Sequence, residues 1–333
     1  MEYVRPITHE LWYGDINNRL GSQIEGYLNK AGLVKSETCK DDTSRPVKGA
    51  RVLIGPHAGY TYSGERLAET FKVWDTSKVK RIFMLGPSHH VYFRNSVMVS
   101  KYEFYETPFG NLPVDVDTIE SLVQSKSGIF KYMSAVVDED EHSFEMHAPF
   151  IYYMSKDLPQ GLPKIIPIMI SGMDPNLNSE IAKALQPYFE NEENHFIISS
   201  DFCHWGPRFG YTEYLKNGET ESPTAKSLIS LTSLKQLKSD FPIHKSIENL
   251  DKAAMRIATD GSYEAWSDYI QATGNTICGQ KPVGVVLKLL EEYKKKQATD
   301  KDISFSWIGY SQSNKVTRIS DSSVSYASGY VKL

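Results

Sequence analysis

Three short runs in this chain are almost continuously apolar: Arg51-Val-Leu-Ile-Gly55, Arg81-Ile-Phe-Met-Leu-Gly86 and His195-Phe-Ile-Ile-Ser199. A strand with one wet face alternates apolar and polar residues. A run without alternation needs apolar cover on both faces, as in a sheet with helices on either side. Asn95–Ser100, Ile165–Ile170 and Ile303–Ile308 read as further strands. Helical periodicity fills the intervals. Leu20, Ile24 and Leu28 fall at i, i+4, i+8 within 16–28, and 65–74, 117–124, 176–188, 246–259 and 283–295 carry similar patterns. Strands alternating with helices predict an α/β fold with a mainly parallel or mixed central sheet flanked by helices. The 333 residues suit one domain. Two polar stretches, 36–48 and 217–239, read as surface insertions in it, and the charged run 291–296 reads as the solvated end of a helix.

Charge narrows the function classes. Lys and Arg total 37 against 41 Asp and Glu, a net charge of −4, so the basic footprint of a nucleic-acid binder is missing. No apolar stretch approaches the roughly 18 residues of a membrane span, and the N-terminus lacks the pattern of a signal peptide. Three cysteines do not make a disulfide framework, so a reducing compartment is expected, cytoplasmic or also nuclear.

Ligands of open parallel sheets bind outside the carboxyl ends of the strands. Here those ends read Pro56-His57-Ala58-Gly59-Tyr60-Thr61-Tyr62, Pro87-Ser88-His89-His90 and Ser200-Asp201-Phe202-Cys203-His204-Trp205. Three strand ends thus deliver histidine into one crevice, two of them as Gly-Pro followed by His. Imidazole is both the commonest metal ligand and the commonest general acid or base, so either kind of site is implied. The segment Asp138-Glu-Asp-Glu-His142-Ser-Phe-Glu145-Met-His147 adds three more candidates. If it is helical, His142 and Glu145 share a face. The zinc pattern H-x-x-E-H is exceeded by one residue, so His147 is expected to point elsewhere. Asn275-Thr-Ile-Cys278-Gly279 reads as a turn that aims a thiol. Cys203 reads as a small core residue and Cys39 as a bystander in the first insertion.

Together PHAGYTYSG, GPSHH, DEDEHSFEMH, SSDFCHWG, NTICG and DSSVSYASG, in this order from about Trp12 to Gly329, resemble the Memo family, mediators of cell motility, with the look of a fungal-type member. The family is similar in fold to class III extradiol non-haem iron dioxygenases. The resemblance implies metal ligation by His57 and His89, with Cys278 where the dioxygenases have a carboxylate. It implies acid–base work by His204 beside Asp201, and Trp12 at the pocket mouth. Tyr62, His142, Glu145 and His147 are expected around that pocket. It further implies an iron or copper ion, no organic cofactor, redox activity, and signalling partners or phosphotyrosine-type peptides. A role in motility or invasive growth follows from the same resemblance. A dioxygenase for a small aromatic substrate and a metal-free peptide adaptor are the alternatives. Two imidazoles with a thiolate make a softer set than two imidazoles with a carboxylate, which favours copper or iron and disfavours efficient ring cleavage.

Overall fold

A computed structural model describes residues 3–14, 19–32, 39–218, 222–297 and 303–333. Its centre is a nine-stranded mixed sheet. Across it the order is His204–Trp205, Ser323–Lys332, Ala50–Gly55, Asn194–Ser199, Arg81–Pro87, Lys164–Ile170, Val97–Val99 and Phe130–Tyr132, with Phe305–Gln312 pairing on Ser323–Lys332. The four strands Ala50–Gly55, Asn194–Ser199, Arg81–Pro87 and Lys164–Ile170 are parallel. Antiparallel pairs flank them on both sides. Every residue of Ala50–Gly55 and Asn194–Ser199 is buried, as their unbroken apolar runs demand. Helix Tyr60–Lys72 lies against Ala50–Gly55 and Ser323–Lys332, while Gln280–Gln297 covers Arg81–Pro87 and Asn194–Ser199 and packs on Pro175–Phe189. Phe83 stacks on Phe196 across neighbouring strands, with centroids 4.8 Å apart, in the main core.

Several boundaries differ from the periodicity. The helix expected from 65 starts at Tyr60. Tyr-Thr-Tyr-Ser-Gly is a poor helix former by propensity. One tertiary and one local bond hold it: Tyr60 Oη donates to Met146 O at 2.6 Å, and Ser63 Oγ turns back to donate to Ala58 O at 2.7 Å. Leu20–Lys30 matches the Leu20-Ile24-Leu28 stripe, and the start expected at 16 lies outside the described residues.

Neither polar stretch is purely surface. Of the first, 36–38 lie outside the described residues. The remainder buries Cys39, Thr43 and Val47, and Cys39 Sγ sits 3.3 Å from Tyr330 Oη. A polar sequence context thus conceals one small side chain turned inward. The second stretch carries half of an antiparallel pair, Glu213–Leu215 with Leu228–Ser230, and buries Leu228 and Leu231 in small clusters of their own. Among the described residues no helix is long and apolar enough to cross a membrane.

Candidate metal centre

The parallel strands end in register, Gly55 beside Ser199 and Leu85 beside Ile198. His57 and His89 each follow two residues after a strand end, so the topology sets their rings face to edge, 5.0 Å between centroids. A third imidazole joins them. Ligand nitrogens of His57, His89 and His142 all lie within 4.8 Å of one another, close enough to hold one metal ion. His142 was expected in the pocket wall. It reaches the cluster because the short helix His142–Glu145 starts one residue after Glu141, which caps it by accepting from Ser143 N–H. Its ring stacks 4.3 Å from that of His89.

The protonation of each ring follows from its partners. Ser199 Oγ donates to Ser143 O at 2.7 Å, so toward His57 Nδ1, 2.8 Å away, it accepts. His57 therefore carries its proton on Nδ1 and turns the Nε2 lone pair to the cluster, the state a metal ligand needs. Burial, then the neighbouring His89 and His142, holds His57 well below the usual histidine range. Burial and the charge of His89 likewise push His142 down to about 3. His89 behaves oppositely. Burial works against its charge, yet bonds to Cys278 and Glu141 outweigh burial and raise it to about 10. Burial keeps the Cys278 thiol high and hence neutral at pH 7, so the Glu141 carboxylate carries most of that effect. Glu141 Oε1 lies 2.7 Å from His89 Nδ1 and Oε2 accepts from His89 N–H at 2.8 Å. Despite its burial Glu141 is held down at about 2 by His89. Such a carboxylate fixes the tautomer and orientation of a ligating imidazole.

Cys278 stands on the flank of the cluster, its sulfur 3.3 Å from His57 Nε2. Two ligands of one tetrahedral ion are about 3.3–3.6 Å apart, so this spacing suits shared ligation. The thiol also accepts from Asp201 N–H at 3.3 Å. Gly279 makes the turn feasible: a Cβ there would sit 2.3 Å from Ser200 Cβ, and Gly279 N–H donates to Ser200 Oγ at 2.9 Å.

Asp201 does not orient His204 by a direct bond, contrary to the expected pairing. Its Oδ1 accepts from His57 N–H at 2.9 Å and Oδ2 lies 3.8 Å from His57 Nε2. His204 Nδ1 rests instead on Thr276 O at 3.1 Å, and its ring meets Phe209 edge-on at 5.2 Å. The side chain after a buried strand can turn to either flank, and sequence adjacency does not decide which. His204 stands outside the three-histidine group.

His147 points away as its spacing implied, and does not line the pocket where the resemblance places it. It is fully buried, with Nε2 3.0 Å from Pro56 O. Glu145 shares no role with His142. Its carboxylate accepts from Arg5 Nη1, Thr8 N and Oγ1, His9 N and Tyr13 Oη, and lies 2.7 Å from His9 Nδ1. It clamps the N-terminal segment, which carries Trp12 over the site. The Trp12 ring lies 4.3 Å from His142 and stays 38% exposed. With Tyr62, 63% exposed, it edges a groove of about 530 Å³ that also includes Arg208 and Asn314.

Sequence reasoning passed over Arg5, Glu141 and Ser199. Arg5 is buried between Asp138, at 3.0 Å, and Glu145, at 2.9 Å. The signal lay in the acids themselves. Four of five residues in Asp138–His142 are acidic, and Asp138 and Glu141 are buried, which requires a buried cation or imidazole opposite them.

A parallel-centred sheet with a histidine cluster at its strand ends defines a class of α/β proteins built to hold a ligand there. Sequence similarity narrows the class to one family. The family described as Memo-like protein matches residues 5–330, and this chain belongs to that family. It is 40% identical to MEMO1 family protein MHO1 of Saccharomyces cerevisiae, over 99% of both chains. It is 37% identical to Protein MEMO1 of Xenopus laevis, over 96% of this chain and 93% of that one. A crystal structure of uncharacterized protein JW3007 from Escherichia coli K12 shares 14% identity over 82% of this chain and 98% of that one, at a TM-score of 0.42.

Proposed function

We propose that this protein binds a redox-active transition metal, iron or copper, through His57, His89 and His142 with Cys278 beside them, and serves redox-linked signalling in cell motility or invasive growth. The observation that carries the metal reading is the convergence of three imidazole ligands within 4.8 Å at the strand ends. The donor set fits: two rings are neutral, His57 presents an unprotonated Nε2 beside the Cys278 sulfur, and Glu141 aims the third. A bound ion would supply electron transfer at a site whose thiol can itself be oxidised. The chain's own residues define the surroundings. Ser199 sets the His57 tautomer, Glu141 holds a proton on His89 Nδ1, and Trp12 covers His142 from solvent. His204, outside the group, is free to accept or donate a proton at Nε2 to a molecule in the cleft. The groove beside Trp12 and Tyr62, with Arg208, suits a signalling peptide of the phosphotyrosine type.

The test is anaerobic titration of purified protein with Fe(II), Cu(I) and Zn(II), followed by metal quantification. One iron or copper ion per chain, lost in His57→Ala and His89→Ala with retained fold, supports the reading. Unchanged metal content in both variants overturns it. Oxygen uptake with a catechol panel tests the dioxygenase alternative, for which turnover of about 1 s⁻¹ or more lies in the ordinary enzyme range.

A further inference from the structure

A second opening leads to Cys278, on the flank of the cluster, and shares no lining residue with the Trp12 groove. It is a cavity of about 460 Å³ at the ends of strands Arg81–Pro87 and Lys164–Ile170. That size suits a small organic molecule. Cys278 lines it and is half-buried, whereas Cys39 and Cys203 are buried. The cavity's charge is one-sided: Arg94 and Lys281 line it and no carboxylate does. Among the described residues, neither cation is paired with an acid. This occurs in a chain whose net charge is −4, so the positive lining is local and does not reflect the whole surface. Gly172 lets two exposed side chains lie close to the backbone there, since a Cβ at that position would meet Arg94 Cγ at 2.9 Å and Tyr92 Oη at 2.6 Å.

We infer that this cavity binds a small organic molecule bearing an oxyanion head group, a carboxylate or a phosphate, held by Arg94 and Lys281 with its other end at Cys278. A guanidinium fork and an ammonium together match such a head group. A cleft lined by cations of one sign draws in an approaching anion and raises its local concentration. The inference rests on the reading above in that it names what approaches Cys278 beside the cluster. Its test runs on metal-free protein, so either reading can fail without the other.

The experiment is charge-selective alkylation of metal-free protein in chelator at pH 8.5, with the labelled residue identified by peptide mass spectrometry and Cys278→Ser as the blank. Anionic iodoacetate and neutral iodoacetamide are compared in wild type and in Arg94→Gln/Lys281→Gln. The iodoacetate-to-iodoacetamide rate ratio at Cys278 is expected to be about tenfold higher in wild type, the low end of what charge focusing gives. The iodoacetamide rate falls with any loss of thiolate, which the ratio cancels, and an unchanged circular dichroism spectrum and thermal midpoint show that the fold is unaltered. Benzoate or phenyl phosphate should slow labelling saturably in wild type only, and the one effective at lower concentration identifies the head group. Equal ratios in the two proteins, labelling at Cys39 or Cys203 in place of Cys278, or protection that persists without both cations would overturn the inference.

Discussion

Glu145 offers a quantitative test of how the N-terminal segment is seated over the metal centre. Its carboxylate is buried and receives bonds from Arg5, Thr8, His9 and Tyr13, none of them a cluster ligand. Burial alone would raise it. Bonds to His9 and Arg5 outweigh burial and lower it from 4.5 to about 2. At about 1.4 kcal/mol per unit, that shift is on the order of 3 kcal/mol of folded-state preference for the carboxylate. Because the folded value lies below the unfolded one, this stabilisation is fully present above pH 4.5 and is lost as pH falls toward 2. Glu145→Gln keeps the shape and removes the charge, so urea unfolding at pH 7 should show a loss of about 3 kcal/mol. The wild-type and variant stabilities should converge between pH 4.5 and 2. Hydrogen exchange should locate the effect, with residues 3–14 losing protection in the variant before the central strands do. A loss below about 0.5 kcal/mol at pH 7, or unchanged protection of 3–14, would refute the clamp.

Three other outcomes follow from the same geometry. His57→Ala should lower metal affinity at least about 100-fold by chelator competition, and because the ring is buried and bonded to Ser199 it should also cost about 1–3 kcal/mol in urea unfolding while the native circular dichroism is kept. Glu141 bonds the Nδ1–H of His89 and its charge favours the doubly protonated ring, so metal binding must displace the other proton, from Nε2; apparent affinity should rise about tenfold per pH unit between 6 and 8, and a flat profile would exclude His89 as a ligand. Gly279→Ala places a Cβ 2.3 Å from Ser200 Cβ and should cost about 2 kcal/mol or more in urea unfolding while displacing Cys278, read as slower thiol alkylation.

Much of the site was legible because strand ends are legible. The unbroken apolar runs fix where Ala50–Gly55, Arg81–Pro87 and Asn194–Ser199 stop, and a histidine two residues past a parallel strand must enter the crevice at that end. His142 was placed near the pocket and not among the ligands, because its position depends on a four-residue helix capped by Glu141. Such a helix has too little periodicity to read. The partner of His204 was assigned to Asp201 on adjacency, and the structure gives it to the Thr276 carbonyl, 72 residues away. Arg5 was passed over since a lone arginine near the start of a chain carries no local pattern, and its meaning is the acids 133 and 140 residues later.

By itself the sequence determined the layered α/β architecture, the crevice and its histidines, since hydrophobic period and strand length are local properties that survive any packing. It also carried the family, through six motifs whose order does not depend on the fold being seen. Only the tertiary structure decided which imidazoles meet, which nitrogen of His57 is free, and which acid serves which base. Those choices are made by contacts across the chain, where burial and a partner within 3 Å outweigh anything neighbouring residues prefer.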